Sequence, residues 1–285
     1  MLYNKTKSLK DKLLTTKSLE EKIHILKDAY FGEECYIITA GPSLKQIDVS
    51  SLKDKLKDKL VICVKQTYDV FHEVADFHLL NPYNYKVYDN HKSIVVFVKP
   101  KNESFFLPKL LSHVDFEIDS DYSRENSLCN KECYQEFLID KNITRPYGPG
   151  IMHEIGIYLP ILLGVKKITF ISWDLGSPNN DFINRFYMKK SIKSFLEFSL
   201  YRLSKNIYNN HYIRILNSIN IFLYNIGFEN IILYNPGISE NEANFISKST
   251  RSLFEWFKSL NIEVNVISDQ SMLDSKFQRK MINEI

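Results

Sequence analysis

The sequence predicts an α/β fold: a mostly parallel sheet flanked by helices, with a small helical lid or insertion. Three observations predict it. Four short apolar runs of strand length recur between residues 35 and 98, separated by charged or helical segments. The stretch "GPGIMHEIGIYLPILLGVKKITFISWDLG" reads as one complete step of such a fold: a turn, a helix and a strand. Near the end, "STRSLFEWFKSLNIEVNVIS" reads as a capped amphipathic helix feeding a final strand.

Taken in order, residues 1–34 form an N-terminal helical extension, expected to pack outside the main sheet. Within it Leu19, Ile23, Leu26 and Tyr30 share one stripe, with Ser18 as N-cap and Glu21 as its capping-box partner. The strands are "CYIIT" (35–39), "LVICV" (60–64), "DFHLLN" (76–81) and "SIVVFV" (93–98). Residues from about 100 to 145 are polar and weakly periodic, an insertion that suits a lid. In the turn-helix-strand unit Pro160 removes a backbone donor and should kink or divide the helix, which Gly164 then stops. A second insertion, about 178–240, holds a helical stretch (186–226) and the strand and turn "ENIILYNPG" (229–237). Residues 35–275 are expected to form one domain, and 276–285 a polar tail.

At 285 residues the chain can bury about three quarters of its unfolded surface. Its 44% hydrophobic and 25% charged residues are those of an ordinary globular chain. A formal charge of +3 is too small to point to nucleic acid; Lys53 to Lys65 and "KFQRK" near the end are the segments that could meet an anionic surface. Cys35, Cys63, Cys129 and Cys133 show no CxxC spacing, and "CNKEC" has no matching Cys or His pair beside it, so a metal site is not expected. With no signal-peptide core and no run of ~18 apolar residues, the expected location is cytoplasmic.

In an open parallel sheet, ligands sit at the carboxyl ends of strands, where loops enter helix N-termini that favour anions. Gly41-Pro42-Ser43 stands there: Gly41 admits close backbone approach, Pro42 sets the turn, Ser43 adds a hydroxyl and a cap. The same residues suit a plain helix start. Neither a P-loop nor G-x-G-x-x-G is present, which argues against ATPase and dehydrogenase chemistry. Asn81 follows the third strand, and Trp173 and Asp174 end "KITFIS"; an amide or carboxylate there can read a base or sugar hydroxyl, or close a turn. "GPGIMHE" puts Gly148, Pro149 and Gly150 before a helix whose first turn carries His153 and Glu154. The dipole there would lower the His153 pKa and keep it a neutral proton acceptor. His211 is a second base candidate, and Asp119 to Asp121 is an acid pair in a polar loop.

"IITAGPSLKQID", "CVKQTYDVF", "LLNPYNY", the turn-helix-strand unit and "LFEWFKSLNIEVNVISDQSML", in that order, resemble the bacterial sialyltransferases of lipooligosaccharide synthesis, glycosyltransferase family forty-two. They also resemble the wider sialyl- and Kdo-transferase-like group that includes the flagellar motility accessory factors. The resemblance implies a Rossmann-like domain (a GT-A-like variant) that uses a CMP-sugar and transfers an acidic 2-keto sugar with inversion. No cofactor is obligatory, and Mg is at most stimulatory. By the same resemblance Gly41, Pro42 and Ser43 contact the nucleotide phosphate; Lys65, Gln66 and Asn81 the phosphate, ribose or donor sugar; and Asp174, with Trp173, the nucleotide. Gly148-Pro149-Gly150 takes the place of the Ser/Thr-Gly turn that holds the donor carboxylate.

One departure is large. The family's catalytic His before its last helix has no counterpart in "SENEANFISKS", so His153, Glu154, Glu240 or Glu242 would take the acceptor proton. The partners implied are the CMP-sugar and a bacterial surface glycan acceptor (lipooligosaccharide, capsule or O-antigen), with the inner membrane as a peripheral surface; a homo-oligomer stays open. Two other readings remain: a pterin pyrophosphokinase-like enzyme, which shares the Gly-Pro-Ser start, and a non-catalytic accessory module that binds a nucleotide-sugar or glycan.

Overall fold

The computed structural model describes residues 2–81, 88, 92–100, 114–120, 151–175, 240–268 and 271–285. Among the described residues eight strands form one sheet: β1 (Glu34–Ile38), β2 (Leu60–Val64), β3 (Phe77–Leu80), β4 (Ile94–Pro100), β5 (Phe116–Ser120), β6 (Lys167–Ile171), β7 (Glu263–Ile267) and β8 (Gln278–Arg279). Every pairing is parallel, and the order is β5-β4-β3-β2-β1-β6-β7-β8. This is the predicted α/β, Rossmann-like sheet. From β1 the chain builds outward to β5 on one side, then resumes at β6 on the other. The boundary between β1 and β6 is therefore the topological switch point, where open α/β sheets leave a crevice.

The central strands are mostly apolar because both faces of the sheet are covered. Cys35, Ile37, Leu60, Ile62 and Phe170 enter one core with α1 (Leu2–Thr15), α2 (Leu19–Leu26) and the helical segment after Ile151. Tyr36, Ile38, Val61, Cys63 and Ile171 enter the other, with α3 (Val49–Leu56) and α4 (Tyr68–Phe71). Pro160 divides its helix as predicted: a π-helical turn, Met152–Gly156, precedes a new short helix, α5 (Leu159–Leu162). Pro160 lies in the first turn of α5, where its missing N–H costs nothing. Gly164 ends the segment at φ +78.

Four expectations are corrected. The insertion expected at about 100–145 contains an edge strand of the sheet, β5, and Asp119 lies in that strand and not in a loop. The extension expected at 1–34 holds two helices within residues 2–26, with Ser18 Oγ accepting the Glu21 N–H at 3.4 Å, and it belongs to the main core: Leu9, Leu13, Leu26 and Tyr30 are buried against the strands. The last helix, α6 (Glu240–Ser259), begins well before Ser249, so Thr250 is internal; its Oγ1 accepts the Asp274 N–H at 2.8 Å. Residues 276–285 are not a free tail. Phe277 is fully buried, β8 pairs with β7, and Ile282 and Ile285 pack on the second core. The basic side chains there are engaged too: Lys276 with Glu255, Lys280 with Glu263, and Arg279 with the Ser271 and Leu273 carbonyls. Among the described residues no helix is long and apolar enough to cross a membrane.

Buried carboxylates hold the first helices to the amino-terminal edge of the sheet. Asp115, before β5, accepts the Val95 N–H at 2.8 Å and pairs with Lys10 at 3.4 Å. Asp76, before β3, accepts the Val61 N–H at 3.0 Å and the Thr6 hydroxyl, and Thr6 in turn bonds the Tyr30 hydroxyl. Burial pushes the Asp76 carboxyl up to about 6 from its ordinary 3.8, although both hydrogen bonds oppose the rise. The folded state thus favours the protonated form. The stability this adds is full below about 3.8 and is lost as pH rises through about 6, a difference of about 3 kcal/mol. Asp76→Asn keeps the shape without the charge: its carbonyl oxygen can still accept the Val61 N–H, and the Thr6 hydroxyl can turn to accept from its amide. In paired denaturations from pH 4 to 7, the variant should gain on the parent by most of that amount, about 2.4 kcal/mol, as pH rises. A constant difference would show that Asp76 does not titrate in this window.

Candidate functional site

The exits of β2, β1 and β6 lie side by side at the carboxyl edge. Thr39 follows β1, Lys65 follows β2 and Ser172 follows β6. Two of these three have left-handed backbones, Lys65 at φ 52 and Ser172 at φ 59, a conformation that costs a non-glycine residue roughly 1–2 kcal/mol. Each is held by specific bonds. The Lys65 carbonyl accepts from Tyr68 N–H and lies 2.8 Å from His78 Nε2; the Ser172 carbonyl accepts from the Thr39 hydroxyl at 2.5 Å and from Asp174 N–H at 3.0 Å.

Between them runs Gly41-Pro42-Ser43. It forms a 3-10 turn, Pro42–Gln46, with Gly41 at its N-cap and Pro42 at its first position. The turn does hold an anion, but an internal one. One carboxylate oxygen of Asp174 accepts the Ser43 N–H at 2.7 Å, and the other accepts the Ser43 hydroxyl at 2.6 Å and the Ser268 hydroxyl. Asp174 is 2% exposed. Ser43 and Asp174, both expected at the nucleotide, are therefore paired with each other, and the two Ser43 donors meant for a phosphate are already engaged. The true helix that follows, α3, begins at Val49 and is capped by Asp48, which accepts from Ser50 and Ser51 N–H at 3.0 and 3.3 Å. Gly41 has φ −67, so its glycine answers to close approach, not to backbone handedness: a Cβ would lie 2.1 Å from the Ser172 carbonyl oxygen.

The remaining expected residues distribute around this floor. Gln66 and Thr67 are buried in the β2 exit, where the Thr67 hydroxyl reaches the Ile38 and Val64 carbonyls, 3.1 Å to each. Asn81 is buried at the exit of β3. Trp173 is a packing residue, its ring 4.7 Å from Phe170 and 5.6 Å from His153. His153 is 1% exposed, in the π-helical turn. Burial pushes its pKa down to about 4 from the ordinary 6.5, the direction expected for it but with burial as the cause in place of a helix dipole. Its Nε2 and the fully buried Ser172 Oγ have no hydrogen-bond partner among the described residues. Gly148, Pro149, Gly150, His211, Asp121, Cys129 and Cys133 lie outside the described residues, as do the side chains of Asp119, Glu154, Glu240 and Glu242. Among the described residues no group of three or more His, Cys, Asp or Glu could hold a metal ion.

Ser172, Ser268 and His78 were not marked by the sequence. A left-handed φ leaves no local signal in a serine, and His78 lies inside an apolar strand where a polar side chain looks incidental.

No protein-family model matches the chain, and no curated protein matches it. Among solved structures it is similar to the MAf glycosyltransferase from Magnetospirillum magneticum AMB-1, at 11% identity and a TM-score of 0.44, over 90% of this chain and 34% of that one. The chain spans about a third of the length of that structure.

Proposed function

We propose that the chain is an inverting glycosyltransferase that moves an acidic 2-keto sugar (sialic acid, another nonulosonate or Kdo) from a CMP-sugar to a bacterial surface glycan. One observation carries the reading. The motifs "GPS", "KQ", "NPY" and "WD" are scattered along the chain, yet each begins at the carboxyl end of β1, β2, β3 or β6, four adjacent strands around the switch point. In a parallel sheet those ends share one edge, which supports reading the motifs whose order resembles the sialyltransferases as parts of one site. Direct displacement at the anomeric carbon needs a base for the acceptor hydroxyl and stabilisation of the departing phosphate.

The residues divide that work differently from the sequence expectation. Asp174 and Ser43 hold the β1 and β6 exits together, and Lys65 is the cation at the β2 exit that a phosphate would meet. His153, buried and with a pKa of about 4, is poorly matched to the role of base. The proposal places the enzyme in the cytoplasm; Cys35 and Cys63 are free and buried.

The test is a thermal-shift screen of the protein with CMP, CDP, UDP, GDP and ATP, each with and without Mg. A ligand at a hundred times its Kd stabilises by about 2.7 kcal/mol. CMP or CDP should raise the melting temperature without metal, and the CMP-sugar donor should slowly release CMP in the absence of acceptor. A response to Mg-ATP alone would replace this reading with the pterin-type enzyme. Nucleotide binding with an intact donor would leave a non-catalytic module.

A further inference from the structure

We propose that His78 is a positioning residue, which fixes Lys65 in its left-handed conformation and so sets the β2 exit for ligand binding. The inference rests on the proposed reading that a nucleotide phosphate meets the protein at this exit. The backbone itself motivates it. A lysine at φ 52 is strained, glycine would adopt the conformation freely, and such strain persists only where surrounding bonds over-determine it. The bonds are on hand. His78 Nε2 lies 2.8 Å from the Lys65 carbonyl, and because that carbonyl can only accept, Nε2 carries the proton. The same carbonyl accepts the Tyr68 N–H, and two residues on the Thr67 hydroxyl ties the turn to the last carbonyls of β1 and β2.

His78 is in turn immobilised. It is fully buried in β3, stacks on Tyr68 with ring centroids 4.2 Å apart and planes within 8°, and meets Tyr88 edge-on at 4.7 Å. An imidazole stacked on one face and met by a second ring at about a right angle to the stack is a rigid donor aimed at one carbonyl on the neighbouring strand's exit. Its hydrogen bond spans β2 to β3 immediately beside the crevice, so a change in β3 alters how Lys65 is presented.

The experiment compares parent, His78→Phe, His78→Gln and Lys65→Ala. His78→Phe keeps an aromatic ring on Tyr68 and deletes the donor; His78→Gln keeps a donor and deletes the ring. For each, the melting temperature without ligand and the affinities for CMP and for pyrophosphate at low and high salt are measured. His78→Phe should weaken binding of both probes about tenfold, His78→Gln should recover most of that loss, and Lys65→Ala should weaken binding at least as much and flatten its salt dependence. Parent-like affinity in a folded His78→Phe protein overturns the positioning role and leaves the glycosyltransferase reading intact. If His78→Phe does not fold, a His78→Gln protein that folds but binds no better than Lys65→Ala overturns it. A parent that binds pyrophosphate but not CMP rejects the CMP-sugar reading while the His78–Lys65 test proceeds on pyrophosphate. A parent that binds neither overturns both.

Discussion

Gly41→Ala is expected to lower stability by about 3 kcal/mol, the upper range of overpacking, and with it the melting temperature by roughly 6–12 °C. The added Cβ would stand 2.1 Å from the Ser172 carbonyl oxygen and 2.5 Å from Asp174 Oδ2. The first of these atoms is backbone, and it is already bonded to the Thr39 hydroxyl and the Asp174 N–H, so it cannot swing aside. To admit one methyl group, the β1 and β6 exits must separate, which loosens the Asp174 bonds to Ser43 as well. Denaturation of the variant measures the loss, and the nucleotide screen should show any ligand response fall with it. A variant as stable as the parent would mean that the two exits are not in the contact described.

Asp174→Ala should cost about 3–5 kcal/mol, because it removes one group and strands several. The Ser43 N–H, the Ser43 hydroxyl and the Ser268 hydroxyl would all lose their acceptor, and Ser43 is buried. The carboxylate ties together the exits of β1, β6 and β7, so its loss also frees three loops that it now joins. Asp174→Asn should recover part of the stability, since one carbonyl oxygen still accepts while the amide nitrogen opposes a donor. Urea titrations of the three proteins order them. An Asp174→Ala protein within about 1 kcal/mol of the parent would show that the contacts are incidental and would return Asp174 to the ligand.

Much of the fold was legible because strand formation in a parallel sheet is a local property. "CYIIT", "LVICV", "DFHLLN", "SIVVFV" and "KITFIS" are apolar runs bounded by turn residues, and each contains a strand at nearly the expected limits. The site was half legible. That "GPS", "KQ", "NPY" and "WD" stand at strand ends follows from where the apolar runs stop. That Ser43 faces Asp174 does not, since the partners are 131 residues apart. Residues 1–34 were misplaced for a related reason: Thr6 and Lys10 are polar, so nothing in the pattern marks them as inward-facing until Asp76 and Asp115 are brought beneath them.

The sequence by itself determined the α/β class, the strands and the turn residues that end them, because hydrophobic run length, Gly and Pro act on the nearest few residues. Only the tertiary structure decided what those ends do. A serine becomes a ligand contact or a clamp according to which acceptor folding brings to it. Likewise, the carbonyl of a lysine at φ 52 meets its histidine partner, 2.8 Å away, only because folding sets the next strand beside it.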